Sequence, residues 1–265
     1  MNSISKIHKY IKIWWLMSKN SFISIFYQKV ALLIFLTGKV LRFSFFAMFL
    51  IFLVKGSKTL AGYNLNQSVF FFLTFNLIDI FTQFLYREVY RFRPLIISGD
   101  FDLVLIKPMS ALFRSLMGGA DVIDLITIPP LIAAVFYFGH SLSPTPQNVF
   151  LYIILLLNGF LIATAFHIAV LALGIITLEI DHTIMIYRDL VSLGRLPIDI
   201  YKEPLKSILT YLVPVGIMIT LPAKALIGLV SFQGVLLSFI FGAVAFFGAK
   251  KFWDFALTRY TSASS

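Results

Sequence analysis

The chain has 265 residues, 59% of them apolar and only 13% charged, whereas ordinary soluble domains are about a quarter charged. With 29 phenylalanines and a mean hydropathy of +0.92, it belongs with polytopic membrane proteins. There is no cysteine, which excludes a disulfide framework and a thiolate metal site. The net charge of +10 comes from 22 Lys and Arg against 12 Asp and Glu. In so apolar a chain it points to basic juxtamembrane residues and anionic lipid, not to nucleic acid. No signal peptide is expected, since no short apolar core with a small-residue cleavage site opens the chain.

Residues 1–28 set Lys6, Lys9, Lys12 and Lys19 against Ile4, Ile7, Ile11, Trp14 and Trp15. Apolar spacings of three and four predict an amphipathic helix, and its tryptophans suit the headgroup layer of the cytoplasmic face. Residues 30–54 are long enough to span but contain Lys39 and Arg42, each costing about 3 kcal/mol at mid-bilayer on insertion scales. The second run, 69–86, contains Asn76 and Asp79. At about 1.5 Å per residue, Lys39 and Arg42 lie roughly 14 and 18 Å from the inner end of the first span, and Asp79 and Asn76 roughly 10 and 15 Å from that of the second. Lys39 is therefore expected to face Asp79, and Arg42 to face Asn76, as a structural pair or as a charged cavity wall.

Between the second and third spans lies a polar loop, 90–115. It opens on Arg91, Arg93 and Pro94, turns at Ser98-Gly99-Asp100 and stops at Lys107-Pro108. The third span, 120–138, begins with Asp121 and Asp124, read as caps of its positive end, and Pro129-Pro130 is expected to break or kink it. Residues 149–178 form a long fourth run with Asn158 and His167, expected as interhelical hydrogen bonders. Residues 179–206 mix Glu179, Asp181, Arg188, Asp189 and Arg195 with apolar positions. Residues 208–230 are apolar but interrupted by Pro214, Gly216, Pro222 and Lys224, and 231–253 is the last span.

Lys and Arg number five in residues 1–29 and five in 87–114, with Lys250, Lys251 and Arg259 in the tail. The first outer loop holds two and the second none. This asymmetry predicts six spans with both termini and the 90–115 loop in the cytoplasm. Two arrangements remain open. Either 208–230 is the fifth span, or 181–197 crosses and 203–229 dips in and out from the outer face.

Chemistry is absent by motif. Gly38-Lys39 lacks the upstream glycine and the hydroxyl of a phosphate loop. His8, His140, His167 and His182 are scattered, with no zinc motif and no nucleophile elbow. The chain is thus expected not to be an enzyme, and any energy for work comes from elsewhere.

The stretch ISGDFDLVLIKPMSALF, with Gly99, Asp100, Asp102, Leu105, Pro108 and Ser110, resembles the loop after the second span of type-2 ATP-binding-cassette (ABC) permeases. Leu196–Gly228 is similar to a signature of one branch of that family through Pro197, Tyr201, Leu205, Pro214, Pro222, Ala223 and Gly228. The ending with Arg259-Tyr260 and Ser262-Ala263-Ser264 fits it too. The resemblance implies an all-α polytopic membrane protein of six transmembrane helices in the bacterial cytoplasmic membrane. It has an amphipathic connecting helix over 1–28, a cytoplasmic coupling helix in 90–115 and an outer re-entrant hairpin over 203–229 that carries Pro197, Tyr201, Pro204, Pro214 and Pro222 in and beside it. It implies an exporter built of two permease subunits, identical or paralogous, each on a separate ATPase subunit that binds ATP and Mg; this chain holds no cofactor. In the loop, Asp100, Asp102 and Lys107 are expected as rim contacts, and Ile97, Phe101, Leu103 and Leu105 as an apolar plug. The alternatives are an ion-coupled secondary transporter using Lys39, Arg42 and Asp79, and a membrane-embedded lipid-modifying enzyme using Asp121, Asp124 and His182.

Overall fold

The protein is described by a computed structural model over residues 3–178 and 180–261. Glu179, Ser262, Ala263 and Ser264 lie outside the described residues, as do the side chains of Ile4 and Lys6. In chain order, α1 (Ser3–Tyr27) leads into α2 (Lys29–Ser57) and α3 (Leu65–Leu85). Three short helices follow: α4 (Phe92–Ile97), α5 (Asp100–Leu105) and α6 (Ala111–Leu116). Then come α7 (Val122–Ser141), α8 (Pro146–Thr177) and α9 (Ile180–Ser192). The bent pair α10 (Leu205–Leu212) and α11 (Gly216–Leu226) precedes the last helix, α12 (Phe232–Thr258).

Among the described residues, five helices (α2, α3, α7, α8 and α12) are long and apolar enough to cross a bilayer, or six if the bent pair is one span. With no strand among those residues, the protein is an all-α polytopic membrane protein. Its centre is α3. Every residue from Phe70 to Ile78 is buried there, because the helix is apolar all round and packs on every side. Asn64 and Gln67 close its start as a reciprocal capping box, each bond 3.0 Å. By contrast, none of the apolar window of α2 is buried against 67% for α3, so α2 stands at the periphery. Helices α8 and α12 are riveted at mid-length. Asn158 donates to the Ser238 carbonyl at 2.9 Å and hydroxyl at 2.7 Å. A Cβ on Gly242 would fall 2.1 Å from the Asn158 side-chain oxygen, so a larger residue there would have to displace the Asn158 amide.

The bundle has two ends. One, the loop end, carries residues 87–116. The other, the far end, carries Tyr63 and the α7–α8 turn. Asp181 pairs with Arg93 at 3.0 Å at the loop end, while Asp199 accepts from Tyr63 at 2.9 Å at the far end. The chain between them therefore runs the length of the molecule. It does so with a helix of 13 residues, about 20 Å, shorter than the span expected over 181–197. After Ser192 the helix tightens to a 3-10 turn at Leu193–Arg195, because Pro197 cannot continue it and holds Leu196 extended. Arg188 sits over the Tyr90 ring, 5.7 Å from its centroid, at the loop end.

Two proline-containing stretches behave differently. Residues 208–230 do not form one straight span: α10 and α11 bend by 76° about Pro214. Both arms contain π-helical turns, Ile208–Leu212 and Gly216–Thr220. Pro129-Pro130 does not break α7, which runs unbroken through both prolines. Near the freed carbonyls, Thr127 donates its hydroxyl to the Asp124 carbonyl at 3.1 Å.

Candidate functional site: an exposed loop face and a cationic cavity

The loop end is built around Gly99. Its φ of +78° is a left-handed turn that glycine adopts without strain, and it folds α4 back against α5. Apolar residues in α5 at a spacing of three, Phe101 and Val104, then face inward with Phe92 and Ile96 of α4. Phe101 is wholly buried, edge-on to Phe92 at 5.1 Å and Tyr260 at 5.1 Å, with Trp253 beyond at 6.4 Å. It is therefore not part of an exposed plug; it fastens the loop to the end of α12. The outward positions are Ile97 (54% exposed), Leu103 (54%), Leu105 (39%) and Ile106 (78%), so four aliphatic side chains face away from the bundle. Ile106 was not singled out by the sequence, although its spacing of three from Leu103 marks the same face.

Charges frame this face. Asp100 accepts from the Ser98 hydroxyl at 2.8 Å, and Lys107 is exposed. Asp102 lies beside Tyr260, whose phenol is pushed up to about 12 by burial and then by that carboxylate. Helix α1 braces the back of the loop. Tyr10 accepts from the Ser110 amide at 3.0 Å, Lys9 reaches the Pro108 carbonyl at 3.4 Å, and Ser18 accepts from the Ala120 amide at 3.2 Å. Glu88 and Arg114 close the loop's base at 2.6 Å.

Inside the bundle, Lys39 pairs with Asp124 of α7, not with Asp79, and Arg42 faces Asp79 at 4.0 Å. Asn76 turns inward to its own helix and donates to the Phe72 carbonyl at 2.7 Å. The expected partners fail because helical rise along α2 and α3 leaves out α7, which brings Asp124 to Lys39. Asp121 alone caps α7, accepting from the Ile123 amide at 2.8 Å, while Asp124, one turn deeper, is buried and takes the lysine.

Beside these pairs, between α2, α3 and α7, is a cavity of about 590 Å³. Phe43, Phe46, Phe49, Phe72 and Phe75 form much of its wall, and Lys39, Arg42 and Arg195 supply its charge. Arg195 lies over Phe46 and Phe75, 5.6 and 5.7 Å from their centroids, with no carboxylate at ion-pair distance among the described residues. A second cavity of about 330 Å³ continues toward the loop end and shares Lys39, Arg42 and Gln83 with the first.

The far end is closed by a knot on Asp199. It accepts from Tyr63 at 2.9 Å and pairs with Lys206 at 3.0 Å and Lys224 at 2.6 Å. Lys206 and Lys224 lie near opposite ends of the α10–α11 pair, so both ends of that pair return to one place. Burial raises the Asp199 carboxyl, but these hydrogen bonds outweigh it and hold it below the usual range. Tyr63 is raised in turn, first by burial and then by Asp199. Pro197 precedes the turn that carries Asp199, and Tyr201 donates to the Leu193 carbonyl at 2.9 Å. Pro204 leads into α10, Pro214 sits at the bend and Pro222 lies inside α11.

The peripheral α2, the buried α3 and the aliphatic loop face belong to a polytopic helical bundle of membrane-spanning length. The family model described as ABC-2 family transporter protein matches residues 39–264, and the chain belongs to that family. It is thus the membrane permease component of an ABC transporter, and the family implies partnership with an ABC ATPase subunit. No curated protein and no solved structure matches the chain. The match begins at Lys39, so α1 and the first turns of α2 lie outside it. Membership in this transport family displaces both alternatives raised above, the ion-coupled transporter and the lipid-modifying enzyme.

Proposed function

We propose that the chain is the permease of an ABC exporter and that residues 90–115 are where the ATPase subunit docks. The observation that carries this is the aliphatic face of Ile97, Leu103, Leu105 and Ile106, held rigid from behind by Phe101 and by α1. A face of this kind on a braced scaffold suits a hydrophobic groove on a partner, with Asp100, Asp102 and Lys107 at its rim. ATP and Mg are then bound by the partner, and its closure moves the loop as a solid body. Tyr260 and Trp253 pass that motion to α12.

Several features support the finer reading. The two cavities run from the loop end to the middle of the bundle, while the Asp199 knot closes the far end; cargo loaded beside the ATPase and released beyond the knot is export. Both ends of α10–α11 meet at Asp199, which favours a re-entrant hairpin over a span, with the chain from Asp181 to Asp199 as the sixth crossing. The exposed α2 leaves room for a second permease copy, as well as lipid. With the docking loop in the cytoplasm, both termini lie there too.

The test is ATP hydrolysis by the copurified complex in lipid nanodiscs. Leu103→Asp and Ile106→Asp place charge on the face and are expected to lower permease-dependent stimulation at least tenfold, with insertion into the membrane unchanged. Full stimulation by both variants would remove the docking role.

A further inference from the structure

The two joined cavities carry more positive charge than the structure balances. Six cations line them: Lys39, Arg42, Arg87, Arg91, Arg188 and Arg195. Three carboxylates answer, Asp124 to Lys39, Asp79 to Arg42 at 4.0 Å, and Asp121 to Arg87 at 3.3 Å. That leaves Arg91, Arg188 and Arg195 with no carboxylate at ion-pair distance among the described residues. The last two are half-buried and held over aromatic rings. Gln83 stands where the cavities meet, 5% exposed, and its amide nitrogen has no hydrogen-bond partner among the described residues. A buried donor without a partner costs stability, as does a half-desolvated cation, and an incoming anion satisfies both at once.

The apolar part of the site is equally specific. Phe46 stacks on Phe72 at 4.8 Å, and Phe43 leans on the same ring at 5.1 Å, giving a broad aromatic wall beside the charges. A volume of about 590 Å³ falls within the range that takes a drug-sized molecule. We infer that this cavity binds an amphiphilic anion, its apolar body against the phenylalanines and its acidic group between Arg42, Arg195 and Gln83. Arg91 and Arg188 in the second cavity then draw the acidic group in from the loop end. That the ligand is cargo rests on the permease reading; that the site prefers an anion does not. A membrane lipid and a soluble amphiphile could each supply the acidic group, and the chemistry they share is an acid on an apolar body.

The probes are 1-anilinonaphthalene-8-sulfonate and its uncharged analogue N-phenyl-1-naphthylamine, titrated by fluorescence against the full chain in phosphatidylcholine nanodiscs, with empty discs as reference. The expected result is saturable binding at one site per chain, with the sulfonate preferred at least tenfold. Arg195→Gln and Arg42→Gln are each expected to cut that preference about tenfold, and Arg195→Lys to keep most of it. Because Arg42 is about half exposed, its loss should leave the fold intact. Equal affinity for both probes, no saturable site, or a preference untouched by both glutamine variants would overturn the assignment. Added phosphatidylglycerol that displaces the probe identifies a lipid ligand; failure to displace it identifies a soluble one, and either sustains the anionic class. Copurification of the ATPase subunit is scored on the same preparations, so loss of the permease reading and loss of the anion site are separate results.

Discussion

Lys39 and Asp124 show what a charge at membrane depth requires. Asp124 has a side chain 1% exposed and lies on a helix the bilayer would otherwise fill with apolar residues. Removing one partner strands the other, at about 3–5 kcal/mol, whereas an apolar pair of similar volume is often neutral. Lys39→Met and Asp124→Leu are each expected to lower the unfolding temperature in detergent, and the double variant to regain most of the loss. A double variant as unstable as the sum of the singles would mean that the two charges act independently. That Lys39 and Arg42 needed polar partners was legible from their place in an apolar run. Which carboxylates was not, because pairing depends on how three helices rotate against one another, and helical rise fixes depth only. Arg195 and Gln83 carried no sequence signal beyond being polar, since their importance comes from the cavity that surrounds them.

At the scale of elements, hydropathy marked the long helices, because a bilayer demands about 20 apolar residues and little else. The chain from Asp181 to Asp199 was harder. It is a 13-residue helix continued by turns, and its first part lies near Arg91 and Arg87 at the second cavity, so it lacks the uniform apolarity of a long span. The bend between α10 and α11 was signalled by Pro214 and Pro222, but the Asp199 knot joining the ends was not, as Tyr63 lies 136 residues away in sequence. This knot yields a pH dependence. Since the Asp199 carboxyl is held below its ordinary value, its stabilising contribution is full above the unfolded value, about 3.9, and is lost as pH falls through the lower folded one. Asp199→Asn is therefore expected to destabilise the protein at pH 7 and to cost progressively less below about pH 4. Thermal unfolding at a series of pH values checks this; an Asn penalty that stays constant into acid would exclude the charged knot.

Taken whole, the protein is a bundle with two joined cavities reaching toward one end, the Asp199 knot at the other, and an aliphatic face at the end the cavities approach. The sequence located that face but not its orientation: Phe101 reads like its neighbours, and only the ring cluster with Phe92, Tyr260 and Trp253 shows that it points inward. The chain contains no cysteine, so a single one placed anywhere is unique. Ile106→Cys, in the loop face, and Phe136→Cys, 73% exposed on α7 toward the far end, make a matched pair of reporters. In the copurified complex, a short bifunctional crosslinker reaching from the thiol to amines should join Ile106→Cys to the ATPase subunit and leave Phe136→Cys unjoined to it. An ATPase crosslink from Phe136→Cys, with none from Ile106→Cys, would contradict docking at the 90–115 loop.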